Sequence, residues 1–381
     1  MTLALLWAIA ATAQPPAVDY AGDAKALDKI IVENYAYEDH WPGGTLPDSP
    51  EIARERAAVH DQDSLLHYAE NRIATLADHH AITGSSFKDS WAIVPTYSDL
   101  WVERRGDAFV IDGIRPESPA AKSGIARGDR LVAVNGVPTE QAVGNFWQAL
   151  GLSVTSERAD YAARVLAAGR RDRPRNLTVA HGVTSRTLTL PSLYSINTDA
   201  PPLTVTREGG RTVLRINNSL GDQATVAAFD AAMAQLPRRA PVVIDLTDTA
   251  SGGNSSVARA MLSWFVREPR NYQMHELSAE ERETGIARRW IEQVLPRPGK
   301  YHATLPVVRV GRWTGSMGEG IAIGFAALGA RVEGTRMAQL KGAVYDFNLP
   351  SSGMVVKLPA ERLYTVEGQP REDFVPAPGQ R

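Results

Sequence analysis

The run Val307-Val308-Arg309-Val310-Gly311-Arg312-Trp313-Thr314-Gly315-Ser316-Met317-Gly318-Glu319-Gly320 passes from a β-branched apolar stretch, through small residues, into the helix-like run Ile321 to Leu328. It predicts a buried strand, a tight turn and a helix. A serine at such a turn exposes its hydroxyl ahead of a helix N-terminus, the placement an acyl-transfer nucleophile uses. Ser316-x-x-Glu319 is equally a capping box, so the segment alone carries two readings. A second strand–turn–helix passage lies upstream, in Pro241-Val242-Val243-Ile244-Asp245-Leu246 and then Gly252-Gly253-Asn254-Ser255-Ser256. Adjacent glycines let backbone N–H groups approach a ligand closely, and a helix N-terminus favours negative charge. Gly252 or Gly253, with the Met317 N–H, therefore forms a candidate oxyanion hole. A strand–helix connection that needs glycine only for its turn is the plain alternative.

Around these two passages the chain from about 196 to 381 alternates strand and helix, the pattern of helices packed around one sheet. Thr212–Ile216 reads as a strand, Gln223–Leu236 as an amphipathic helix and Ser255–Val266 as a further helix. The charged and aromatic segment Arg267–Trp290 reads as a solvated helical excursion. Leu349–Gly353 reads as a turn before the strand Met354–Leu358.

Residues 90–195 have another texture. Phe109–Ile114 predicts a strand, Ser118-Pro119-Ala120-Ala121-Lys122-Ser123-Gly124 a short helix closed by glycine, and Gly128-Asp129 a turn. Arg130–Val134 then predicts a strand and Asn135-Gly136 a hairpin turn. Four punctuation motifs in this order resemble a PDZ domain of the bacterial protease type. That resemblance implies capture of a peptide, commonly a C-terminus, by strand addition; a module that merely packs on its neighbour is the alternative. Val154–Arg175 adds a helix to the unit. Residues 14–89 read as helical, from the 3–4 spacing of Leu27, Ile30, Ile31 and Tyr35 and again of Leu65, Leu66, Ala69, Ile73 and Leu76.

Composition narrows the function. The 381 residues are 44% hydrophobic and 22% charged, with a net charge of −2, values of an ordinary multidomain globular protein. The charge argues against a nucleic-acid surface. With no cysteine there is no disulfide, thiolate nucleophile or Cys-ligated metal, and no metal or other cofactor is expected. Leu3–Ala11 is an apolar run and Ala11-Thr12-Ala13 a small-residue cleavage pattern, so residues 1–13 are expected to be a signal peptide of a periplasmic or secreted protein.

With the PDZ-like unit, the Asp-Leu strand end and its Gly-Gly turn, and Thr314-x-Ser316-x-x-Glu319 in order, the chain resembles the S41 peptidases, the C-terminal-processing and tricorn-type serine proteases. The resemblance implies a multidomain α/β protein: an N-terminal helical region, a PDZ-like β domain and a crotonase-like α/β catalytic core over 196–381. It implies Ser316 as nucleophile and Gly252 or Gly253 as an oxyanion donor. Tricorn-type members carry their base in a Leu-x-Asp-x-His context, matched by Leu76-Ala77-Asp78-His79-His80, and a glutamate before a Val-Pro that orients the base directly or through an intervening group, matched by Glu372 before Val375-Pro376. His79 stands where those members carry a small residue. The processing type uses lysine, and Lys341, 25 residues after Ser316, has the spacing without the motif. The expectation is thus an exported serine endopeptidase with Ser316, His80 and Glu372 as its triad and Lys341 as the alternative base. Its partner is a protein or peptide substrate, and a homo-oligomer stays open. The competing expectation is a non-catalytic ligand- or peptide-binding protein on the same scaffold.

Overall fold

The computed structural model describes residues 17–196 and 199–378; the expected signal peptide lies outside them. Three helices open the chain: α1 (Tyr20–Asn34), α2 (Pro50–Ala58) and α3 (Gln62–Ala74). Each starts on a side-chain cap. Asp19 accepts from the Gly22 N–H, Ser49 from Ile52, and Asp61 from Ser64, satisfying donors that a first turn leaves free. Leu27, Ile31, Leu65, Ala69 and Ile73 form their shared buried face. A two-residue strand, β1 (Ile82–Thr83), follows.

The PDZ-like unit is one antiparallel sheet. Its strands are β2 (Leu100–Arg105), β3 (Ala108–Ile114), β4 (Arg130–Val134), β5 (Val137–Pro138), β6 (Arg175–His181) and β7 (Thr184–Leu190). The order is β2-β3-β4-β6-β7, with β5 against β4. Its helices are α4 (Pro119–Lys122), α5 (Thr139–Ala149) and α6 (Ser156–Ala168). Asn135 and Gly136 take positive φ, +51° and +81°, the requirement of the tight hairpin that the sequence predicts.

The remaining chain builds the α/β core. Strand β8 (Leu203–Glu208) lies antiparallel at the edge of β9 (Arg211–Ile216). After α7 (Ala224–Ala234), β10 (Val242–Asp245) runs parallel to β9, and α8 (Ser255–Leu262) follows it. Next come β11 (Arg270–Glu276), α9 (Ser278–Thr284) and β12 (Arg289–Val294). Then β13 (Val307–Val310) leads into α10 (Met317–Ala327), followed by β14 (Arg331–Gly334), β15 (Ala343–Asn348), β16 (Val355–Tyr364) and β17 (Ala377–Pro378). The main sheet has the order β17-β14-β13-β10-β9-β8, parallel except at β8. A second sheet of order β1-β16-β11-β12, with β15 on β16, draws β1 of the N-terminal region onto the core. Central strand β10 is apolar and buried over Val242–Ile244, whereas β13 alternates, with Val308 and Val310 buried and Val307 and Arg309 partly exposed.

Arg267–Trp290 departs from expectation. It holds a strand and the start of a second one around a single short helix. Its helix α9 and the following residues to Arg289 are largely exposed, but Gln273 and His275 of β11 are buried with polar partners. His275 Nδ1 lies 2.9 Å from Glu361 and Nε2 3.2 Å from Glu292, while Gln273 donates to Glu292 at 3.2 Å. Polarity here does not mean exposure.

Candidate active site

Strand β13 ends in a loop fastened to the loop after β10. The Thr314 hydroxyl donates to the Leu246 carbonyl (2.7 Å), Thr249 N–H to Trp313 (2.9 Å), and Gly315 N–H to Thr249 (3.2 Å). There is no room for side chains in this clasp. A Cβ on Gly315 would lie 2.8 Å from the Ala250 carbonyl oxygen, and one on Gly318 2.7 Å from the Thr249 hydroxyl. Ser316 itself sits at φ +51°, ψ −113°, outside the left-handed well that non-glycine residues tolerate. Strain of this kind is held in place by its surroundings and marks nucleophile turns. The serine is half-buried at the start of α10.

The candidate base arrives from the other end of the chain. After α3, Asp78 accepts the His80 N–H at 2.8 Å and the Tyr35 hydroxyl at 2.9 Å, which holds the turn Ala77–His80 against α1. His80 Nε2 then lies 3.0 Å from Ser316 Oγ, 236 residues away in sequence. Nδ1 lies 2.6 Å from the Lys341 carbonyl. A carbonyl can only accept, so Nδ1 carries the proton and Nε2 turns its lone pair to the serine hydroxyl. That is the tautomer a general base needs. Burial, and then the Arg371 guanidinium, push the His80 pKa down to about 4, so the ring is neutral near pH 7.

Neither Lys341 nor Glu372 bonds to His80 through its side chain. The Lys341 Nζ is paired with Glu157 of α6 at 2.9 Å, and the residue reaches the ring through its backbone carbonyl. Glu372 makes no hydrogen bond to His80. Its backbone carbonyl accepts from Gln339 at 3.2 Å, and its Oε2 is buried without a hydrogen bond, as is the Tyr37 hydroxyl nearby. Burial raises the Glu372 pKa, against its own backbone N–H and the Arg371 guanidinium. The direct contact to Nδ1 is thus the Lys341 carbonyl, and an intervening group would have to join Glu372 to the ring.

Glu319 does more than cap a helix. One carboxylate oxygen accepts the Ser316 and Leu340 N–H groups (3.0 and 3.1 Å), and the other accepts that of Gln339 (2.9 Å). It therefore ties the nucleophile turn to the segment whose next carbonyl orients His80. Burial raises its pKa to about 7, against Arg371 and these donors. Arg371, 1% exposed, fixes the same segment through the Leu340 and Gly342 carbonyls, each at 2.8 Å.

The glycine pair flanks the serine. A Cβ on Gly252, at φ +66°, would come within 2.3 Å of Ser316 Cβ. The Gly252 N–H turns back to Thr249 at 3.3 Å. Among the described residues no acceptor is bonded to the Gly253 or Met317 N–H, which leaves both as the candidates for an oxyanion hole. Gly253 must be glycine because a Cβ would fall 2.1 Å from the Leu220 carbonyl. His79 packs away from the site, stacked on Tyr161 at 4.4 Å, and burial lowers its pKa. Among the described residues no carboxylate, histidine and cysteine cluster could hold a metal ion.

Sequence reasoning missed Asp78 as the clamp on His80, the Lys341 carbonyl as its orienting group, and Arg371. Asp78 lies inside the quoted Leu-x-Asp-x-His pattern and was legible there; a backbone carbonyl has no sequence signal.

A PDZ domain profile matches residues 110–146. The photosystem II D1 C-terminal processing protease superposes over 96% of this chain and 94% of its own, with a TM-score of 0.55 and 17% identity. Mature CPAF superposes over 94% and 92%, with a TM-score of 0.58 and 14% identity. The chain has the S41 peptidase fold. Its likeness to CPAF extends to the form complexed with lactacystin, with a TM-score of 0.57 at 14% identity over 94% of this chain and 93% of that one. A comparison with curated proteins gives no match. Within this S41 fold the PDZ match runs from β3 into α5 and stops short of α6, while Ser316 comes from the core and His80 from the turn after the N-terminal helices.

Proposed function

We propose that the chain is a serine endopeptidase acting on proteins or peptides through an acyl-enzyme. The reading rests on one observation, the 3.0 Å approach of His80 Nε2 to Ser316 Oγ with Nδ1 held by the Lys341 carbonyl. His80 takes the hydroxyl proton as Ser316 attacks the scissile carbonyl, then gives it to the leaving amine. The Gly253 and Met317 N–H groups receive the oxyanion. Water repeats the cycle to release the acyl group. The Lys341 carbonyl keeps the tautomer and gains interaction energy when the ring becomes charged. Glu372, next to Arg371 in sequence, supports this segment from behind and does not act on the ring directly. An exported location, read from Leu3–Ala11, belongs to the same proposal.

Cleavage of casein by the whole chain tests it. Ser316→Ala and His80→Ala are expected to lose at least about a thousandfold in kcat while keeping the fold. Lys341→Ala keeps at least about a fifth of the activity, since it removes one partly exposed ion pair and no catalytic atom. Activity retained by Ser316→Ala, or lost only with Lys341→Ala, overturns the assignment. A wild type that cleaves nothing and takes no serine-directed phosphonate would favour the binding-protein alternative.

A further inference from the structure

We propose that helix α6 is a built-in occupant of the peptide edge of the PDZ-like unit, so that the unit accepts no peptide from outside the chain. PDZ recognition adds a strand to an exposed sheet edge beside a helical wall. Here β2 is an edge strand, paired only with β3. Its Val102 carbonyl and Arg104 N–H point away from β3 and are the groups an added strand would take. Both are taken by α6: Asp160 accepts the Arg104 N–H at 2.6 Å, and Arg164 Nε donates to the Val102 carbonyl at 3.1 Å. The Arg164 guanidinium also lies 4.4 Å over the Trp101 ring. Along its other side α6 packs on α5, where Trp147 donates to the Arg158 carbonyl at 2.8 Å. The helix therefore fills the space between the wall and the edge. Ala159, Ala162, Ala163 and Ala167 are buried on it, small enough for that close approach. The other edge, β7, presents mostly exposed side chains.

The same helix reaches both segments that hold the candidate base. Tyr161 stacks on His79, next to His80, and Glu157 pairs with Lys341, whose carbonyl orients the ring. In this chain the bound position of the PDZ-like groove is thus joined to His80 in cis. This link rests on the reading of His80 as the base.

The test begins with the wild-type chain and needs no peptidase activity. A mixture of fluorescein-labelled decapeptides of random sequence with free C-terminal carboxylates is expected to show no saturable anisotropy change up to about 1 mM, the weak end of specific recognition. Hydrogen exchange is expected to show the Arg104 amide protected. In Asp160→Ala/Arg164→Ala it exchanges at least about tenfold faster, while β10 and β13 keep their protection. Saturable micromolar binding by the wild type, or an unprotected wild-type Arg104 amide, overturns the proposal. Should the double variant fail to fold, these two wild-type measurements still decide it. For the link, Tyr161→Ala is expected to lower kcat on casein severalfold without raising KM and to move the acid limb of kcat/KM upward from about 4. An unchanged limb overturns the link and leaves the Ser316–His80 assignment standing.

Discussion

At the scale of single residues, the candidate chemistry depends on how burial treats each titratable group. His80 is neutral because its pKa is pushed down to about 4. A base must be unprotonated, so kcat/KM should rise with pH through about 4, well below the ordinary imidazole value. A limb near 6.5 in the wild type would show that the ring is solvated in the working enzyme. The same depression carries a stability consequence: the folded value lies below the unfolded one, so His80 favours folding above about 6.5 and loses that contribution as the pH falls toward 4. Glu319 has the opposite sign. Raised to about 7, it weakens the fold as pH rises from the ordinary carboxylate range through 7. Its work is as an acceptor for three N–H groups, and Glu319→Gln turns one acceptor atom into a donor facing an N–H. We expect kcat to fall about 10- to 100-fold with KM little changed, the cost of one buried unpaired group; parallel loss of KM would place Glu319 in binding instead.

At the scale of elements, the strand–turn–helix passages were readable because their small residues are there for steric reasons. Gly252 and Gly318 leave no space for a Cβ against Ser316 and Thr249. Gly252→Ala should therefore push the serine out of its strained turn and cost at least about a hundredfold in kcat, checked against secondary structure by circular dichroism. In the 267–290 segment the exposed helix α9 matches the expected solvated excursion, whereas the strand β11 does not. Gln273 and His275 are buried in a network with Glu292 of β12 and Glu361 of β16, and the buried Glu276 pairs with Arg289 and accepts from the Tyr364 hydroxyl. No local pattern shows a polar residue's partner. Helix α6 illustrates the same limit: its existence was legible from apolar spacing, while its seat on β2 depends on Asp160 and Arg164 meeting backbone groups some 60 residues away.

At the scale of the whole molecule, Arg312 joins the units. It lies four residues before Ser316, 4% exposed, and donates to Asp112 (2.9 and 2.7 Å), to Glu103, and to Gln339 (3.0 Å). Burial opposes ionisation of Asp112, and hydrogen bonds from Arg312, Arg127 and Arg105 outweigh it, holding the carboxyl at about 2. Arg312→Met would leave two acids without their buried partner. The expected cost is about 3–5 kcal/mol in urea unfolding, the usual penalty for breaking a buried pair from one side. A change below about 1 kcal/mol would mean that Arg105 and Arg127 hold Asp112 alone.

What the sequence determined by itself was local: an apolar strand running into a glycine-lined turn, the succession of PDZ-like turns, and a serine and a histidine in recognisable settings. These are readable because turn geometry and burial select residue types over a few positions. The tertiary structure decided which groups meet. It brought His80 to Ser316 across 236 residues and gave the ring the Lys341 backbone carbonyl as its direct partner. It turned Lys341 to Glu157 and placed α6 on the edge of β2. Backbone carbonyls are common to every residue, and long-range pairings follow from how elements pack, so neither leaves a mark in the local run of side chains.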